Sequence, residues 1–326
     1  MLKPALLSFA VCVTVAIAPS QRAQTSLATA KAPRPRVSAH RLDAACNRAL
    51  AGRRGTALVL RVDSRAIIGA GNLAFASRRL ATPGSTIKPF VLQLLLERQL
   101  VQPDVRVACR RHLSVGGKRL DCSHPEMPGS YTASEALAFS CNSYFVKAAV
   151  LLGEGELERR YRELGFTGPS GLMAREAVGT VQAARSLADR QLLAVGAAGV
   201  RVTPLQLAAA YLNLARQARS PSAESRVVFA GLRQSADIGL AQLAGSTSIQ
   251  VAGKTGTASD PGDPRTHAWF AGFAPADKPE VVVVVFLERG RGSTDAAQVA
   301  GEIFRAYAAS RKSASGVETM AVEAAQ

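Results

Sequence analysis

Ser85 and Lys88 stand three residues apart in Pro83-Gly84-Ser85-Thr86-Ile87-Lys88-Pro89, at the start of a predicted helix. At that spacing two helical side chains lie side by side, with Cβ atoms about 5–6 Å apart, so a hydroxyl and an amine can share a proton. A serine needs an adjacent base to attack a carbonyl, and an unprotonated Lys88 would serve. Ser85 also sits at the positive end of the helix, which favours a developing alkoxide. Pro89 falls within the first turn, where its ring is tolerated. Alone, the pair says little. A chain of this length carries about one Ser-x-x-Lys by chance, and a helix cap with a solvated lysine accounts for it equally well.

Two further motifs follow in order. Ser140-Cys141-Asn142 lies between two predicted helices. A tight loop there can push two short polar side chains into a cleft, and a plain turn with an N-cap Asn is the alternative. Lys254-Thr255-Gly256-Thr257 lies inside a predicted strand. Thr255 and Thr257 share one face by the two-residue period, and that face could grip a carboxylate. Gly256 in a strand interior marks a close backbone approach, as of a ligand. One serine with a base, a second serine with an amide, and a lysine with two threonines form a far more specific set together than singly.

The elements that must hold these motifs can be read from periodicity. Residues 56–62 and 66–71 flank Asp63-Ser64-Arg65 and predict a hairpin. Helical patterns cover 87–99, 133–139 and 144–152, and Thr132-x-x-Glu135 is a capping box for the second. Thr203-Pro204-Leu205-Gln206 opens another helix. Near the C-terminus the period becomes two, and 249–257, 267–274 and 281–287 predict three successive antiparallel strands. A last helix covers 295–308, and 312–326 reads as a disordered tail. The expected class is α+β: an antiparallel sheet built from both chain ends beside a mainly helical region.

Composition narrows the rest. The 326 residues are 48% hydrophobic and 20% charged, which is globular and excludes a disordered or fibrous chain. The net charge is +16, an imbalance that suits an anionic partner. Half of that excess lies in residues 1–54, which hold nine bases and one acid. A nucleic-acid protein is not expected, because aromatic residues make up only 5% and no stacking cluster is visible. No Gly-x-Ser-x-Gly supports a Ser-His-Asp hydrolase, and His267 reads as a strand residue rather than a base. Gly69-x-Gly71-x-x-Ala74 imitates a dinucleotide fingerprint, but Pro83-Gly84 soon interrupts the helix it would need.

Residues 1–23 read as a secretory signal. Lys3 precedes an uncharged, largely apolar run over 5–18, and Ala16-Ile17-Ala18 suits cleavage. That run is short of the roughly 20 residues a membrane span needs. An uncut N-terminal anchor is the alternative, since Pro19 disfavours cleavage. Residues 24–41 are a basic, Pro/Ala-rich linker, and 42–311 form one domain. The expected address is extracytoplasmic. In an oxidising compartment Cys109 and Cys122 could form a disulfide. Cys109-x-x-His112 and Cys122-x-His124 could instead hold zinc, and free thiols are the third option.

Taken together, the three motifs resemble those of the penicillin-binding protein transpeptidase domain, in the wider superfamily that includes the serine β-lactamases. The likeness extends to Val202-Thr203-Pro204-Leu205-Gln206 and His267-Ala268-Trp269-Phe270-Ala271-Gly272-Phe273, and covers about 55–307. The resemblance implies a serine D,D-transpeptidase or D,D-carboxypeptidase that acts on D-Ala-D-Ala peptidoglycan stems through an acyl-serine, needs no cofactor and is inhibited covalently by β-lactams. It implies Ser85 as nucleophile, Lys88 as base, Ser140 as proton relay and Asn142 as the group orienting Lys88. It also implies Lys254 as a source of positive potential, with Thr255, Gly256 and Thr257 binding the terminal carboxylate. Other cell-wall synthesis proteins are natural partners for such a domain. Two alternatives stand beside this one: a penicillin-recognising sensor or scaffold with little turnover, and a serine β-lactamase. The β-lactamase reading lacks a carboxylate followed three residues later by Asn, since Glu154, Glu156, Glu158, Glu163 and Glu176 all fail that test.

Overall fold

The computed structural model describes residues 39–126 and 129–323, so the proposed signal and most of the proposed linker lie outside the described residues. The centre of the fold is a five-stranded antiparallel sheet: β1 (Gly55–Arg61), β2 (Ile67–Gly71), β3 (Ala252–Ala258), β4 (His267–Ala274) and β5 (Val281–Leu287). The spatial order is β2-β1-β5-β4-β3. The sheet therefore joins both chain ends, as expected. Gly55 pairs with Leu287, and Ala268 pairs with Leu287 on β5's other side. The valine run of β5 is buried on both faces, which is why it reads as one continuous apolar stretch rather than an alternation.

Each sheet face has its own core. Leu58, Leu60, Trp269, Phe273, Val284 and Phe286 face the helical region. That region includes α2 (Lys88–Glu97), α3 (Ala133–Ala138), α4 (Asn142–Ala148) and, further on, α7 (Pro204–Gln217). Between them lie α5 (Glu156–Glu163) and α6 (Leu187–Ala194), and α8 (Ala223–Asp237) follows. Ala57, Val59, Phe270, Val283 and Val285 face the other way, against α1 (Ala39–Leu50) and α9 (Ala297–Glu323). The molecule therefore has three layers, one more than the sequence reading anticipates.

Two boundaries need correction. The expected linker over 24–41 gives way to helix at Ala39, because Leu42, Cys46, Ala49 and Leu50 form one apolar stripe that covers the sheet. The last helix begins with a π-turn over Gly292–Ala296 and continues as helix to Glu323, through most of the stretch expected to be a disordered tail. Among the described residues, no helix is long and apolar enough to cross a membrane.

Candidate active site

The segment carrying Ser85 is a 3₁₀ turn, Gly84–Ile87, that runs directly into α2. Three features hold it in place. The Thr82 carbonyl faces His267 Nε2 at 2.6 Å and accepts from Trp269 Nε1 at 3.0 Å, so β4 fixes the chain just before the turn. The Thr86 hydroxyl donates to the Pro83 carbonyl, and the Tyr211 hydroxyl of α7 donates to the Thr86 carbonyl. Gly84 adopts φ +56°, in the region that favours glycine. His267 thus serves as a strand residue that braces Thr82. Its burial lowers its pKa, which keeps the ring neutral.

Lys88 is fully buried, and its Nζ points at the second motif. It donates to Asn142 Oδ1 at 2.6 Å, to the Ser140 carbonyl at 2.9 Å and to Ser140 Oγ at 3.4 Å. The amine also lies 5.1 Å from the centre of the Phe145 ring. Burial lowers its pKa to about 8, within reach of a general base at neutral pH. Ser140 makes this possible by taking φ 55°, an unusual left-handed conformation for a serine, between α3 and α4. That one residue aims both its carbonyl and its hydroxyl at Lys88. Asn142 also donates from Nδ2 to the carbonyls of Leu120 and Asp121, which ties the 109–124 excursion to the motif.

The third motif lies on edge strand β3, against the turn that carries Ser85. A Cβ at Gly256 would come within 2.7 Å of the Pro83 carbonyl. The close approach read from this strand glycine is therefore made by the protein's own Ser85 turn. Lys254 is fully buried and donates to the Thr255 carbonyl at 3.1 Å. Burial, and then the neighbouring Lys88, push its pKa well below the ordinary lysine value. The Thr257 hydroxyl accepts from Gly292 N at 2.8 Å.

Ser85, Ser140, Asn142, Thr255 and Thr257 line one cavity of about 470 Å³. The structure thus brings the three sequence motifs together, with Lys88 and Lys254 buried behind them. The same cavity is lined by Arg119, Asp121, Thr266 and Arg291, which sequence reasoning misses. Arg119 lies in the two-residue strand Lys118–Arg119, too short for a periodic pattern, and Arg291 lies in a polar loop, where the signal is a base between glycines at Gly290-Arg291-Gly292. The glutamates weighed above are absent from its lining. Glu158 accepts from Ala184 N, and Glu176 accepts from the backbone of Ser170, Leu172 and Met173.

The cysteine expectations change. Cys109 and Cys122 are free thiols with sulfurs 3.6 Å apart, too far for the disulfide proposed from sequence, whose bond would be about 2.05 Å. His112 is exposed and faces Asp121, away from the thiols. Cys141 takes its place beside Cys109, Cys122 and His124.

Comparison with known proteins agrees with this geometry. The family model described as "Penicillin binding protein transpeptidase domain" matches residues 71–309. The chain is 28% identical over 274 residues to stage V sporulation protein D of Bacillus subtilis, covering 68% of this chain and 41% of that one. It is 29% identical over 196 residues to the peptidoglycan D,D-transpeptidase PbpA of Mycolicibacterium smegmatis, covering 50% and 40%. The chain thus spans less than half the length of these relatives. Among solved structures, PBP2 of Pseudomonas aeruginosa superposes with a TM-score of 0.72 at 25% identity, over 82% of this chain and 76% of that one. The Helicobacter pylori PBP2 solved in complex with MreC shares the fold, with a TM-score of 0.70 at 21% identity over 81% and 61%.

Proposed function

The chain belongs to the penicillin-binding protein transpeptidase family, and from that premise we propose that it is a serine D,D-transpeptidase or D,D-carboxypeptidase. Its substrate is a peptidoglycan stem ending in D-Ala-D-Ala, and β-lactams are its covalent inhibitors. The observation that carries this reading is the bonding of Lys88 Nζ to Ser140 and Asn142 beside Ser85 in one cavity. Neutral Lys88 takes the proton from Ser85 Oγ as the oxygen attacks the carbonyl carbon of the penultimate D-Ala. Backbone N–H groups of Ser85 and Thr257 stabilise the oxyanion, a contribution of about 3–4 kcal/mol per donor in comparable sites. The C–N bond then breaks, and Ser140 passes a proton to the departing D-Ala amine. An amine of a neighbouring stem, or water, takes the acyl group from Ser85.

Lys254 needs a refined role. Burial, and then the neighbouring Lys88, disfavour the charged form of Lys254. The substrate carboxylate, held by Thr255 and Thr257 at Gly256, favours its charged form. Arg119 and Arg291 add positive charge at the cavity wall. An extracytoplasmic address fits this substrate, as do partners drawn from other cell-wall synthesis proteins.

A labelled penicillin should form a stable adduct on Ser85, visible by intact mass, and Ser85→Ala should abolish it. An unlabelled wild type would refute the acyl-serine mechanism. D-Ala release from a D-Ala-D-Ala pentapeptide then separates an enzyme from a sensor, because acylation without release would favour the sensor.

A further inference from the structure

Three sulfurs and one imidazole converge behind the second motif. The ligand atoms of Cys109, Cys122, His124 and Cys141 all lie within 4.8 Å of one another. His124 and Cys141 are 1% and 0% exposed, Cys122 is buried, and Cys109 is half-buried. Cys109 Sγ is 3.6 Å from Cys122 Sγ and 3.5 Å from His124 Nε2. Tetrahedral zinc, with bonds of about 2.3 Å to sulfur and about 2.05 Å to nitrogen, would set its ligand atoms about 3.5–3.8 Å apart.

The imidazole is already oriented for a metal. His124 Nδ1 is 2.8 Å from the Pro125 carbonyl. A carbonyl can only accept, so Nδ1 carries the proton and Nε2 of the neutral ring keeps its lone pair toward Cys109. The Tyr131 hydroxyl is 3.0 Å from the same Nδ1 and donates to the Pro125 carbonyl, and Arg111 donates to the His124 carbonyl. Such outer partners commonly fix the tautomer and orientation of a metal-binding histidine.

We propose that Cys109, Cys122, His124 and Cys141 bind one zinc ion in a closed structural site that braces the second catalytic motif. Three soft thiolates with one imidazole select zinc over hard cations such as magnesium or calcium. Four protein ligands leave no open coordination position, so the metal is structural rather than catalytic. Binding displaces the thiol protons into solvent. Cys141 is the link to function, since it lies between Ser140 and Asn142, both of which hold Lys88. The metal therefore fixes the left-handed turn at Ser140 from behind. This link to acylation rests on the transpeptidase reading, whereas the metal site does not.

The test uses the full chain. Purified wild type should carry one equivalent of zinc by elemental mass spectrometry. Exchange with cobalt(II) should give thiolate-to-cobalt charge-transfer bands and the intense visible bands of a tetrahedral ion. Cys109→Ser and His124→Ala should each weaken cobalt binding at least about 100-fold, and Tyr131→Phe about 10-fold. Removal of zinc from the wild type should slow penicillin acylation at least about tenfold, and restored zinc should recover it. A wild type that holds no zinc and takes up no cobalt, or is isolated with a Cys109–Cys122 disulfide, would overturn the site. A zinc-free wild type that acylates at the full rate would overturn the bracing role alone. Metal content and cobalt spectra do not depend on turnover, so failure of this site and failure of the acyl-serine mechanism give separate signatures.

Discussion

At the scale of single residues, the proposed chemistry turns on a buried amine whose protonation is set by its surroundings. Burial lowers the Lys88 pKa to about 8, so its neutral, basic fraction grows as pH rises toward that value. The rate of penicillin acylation should therefore rise about tenfold from pH 6 to 7 and level off above about 8. Stopped-flow acylation across that range measures it, and a flat profile would remove Lys88 as the base. Asn142→Asp sharpens the point. It places a carboxylate where Oδ1 now stands 2.6 Å from Nζ, which favours the charged lysine and raises its pKa. The acidic limb of the profile should move to higher pH, with slower acylation at neutrality. Ser140 shows why the motif was legible while its geometry was not. The sequence places a short polar pair between two helices, but nothing in it reveals the positive φ that turns the serine carbonyl toward Lys88.

At the scale of elements, the turn that carries Ser85 is defined by what leans on it. A Cβ at Gly84 would lie 3.1 Å from the Thr257 carbonyl, and its φ of +56° disfavours any side chain. Gly84→Ala should cost about 1–3 kcal/mol of strain and, by shifting Ser85 against β3, slow acylation more than it lowers Tm. An unchanged acylation rate would show that the turn tolerates displacement. The strands and the helices carrying the motifs could be read in advance, because β4 and β5 are short, largely apolar runs buried throughout, and α3 and α7 announce themselves with capping boxes at Thr132 and Thr203. Other elements could not. In α5, only Leu157, Glu158 and Tyr161 are buried in an otherwise charged octet. In α1, the stripe of Leu42, Cys46, Ala49 and Leu50 sits directly behind a basic Pro-rich stretch that masks it. Leu42 is 1% exposed against the sheet, so Leu42→Ala should destabilise the fold by about 2–5 kcal/mol in urea unfolding. A change below that range would mean α1 is only loosely attached.

At the scale of the whole molecule, one sheet face depends on the two chain termini. Val299, Ile303, Phe304 and Tyr307 of α9 cover it together with α1. A chain ended before Ala297 should expose that apolar face, aggregate and take up no penicillin. A soluble, labelled product would show that the helical region alone sustains the site. The strand order adds a constraint on timing. β5 lies at the centre of the sheet, yet it is the last strand to be synthesised, and it zips onto β1, the first. Pairings this far apart in sequence form slowly. The turn that carries Ser85 cannot settle against Gly256 until Gly256 itself, 171 residues further on, has been synthesised. Emerging chains thus pass through a long interval in which the serine lacks the surroundings that would make it reactive.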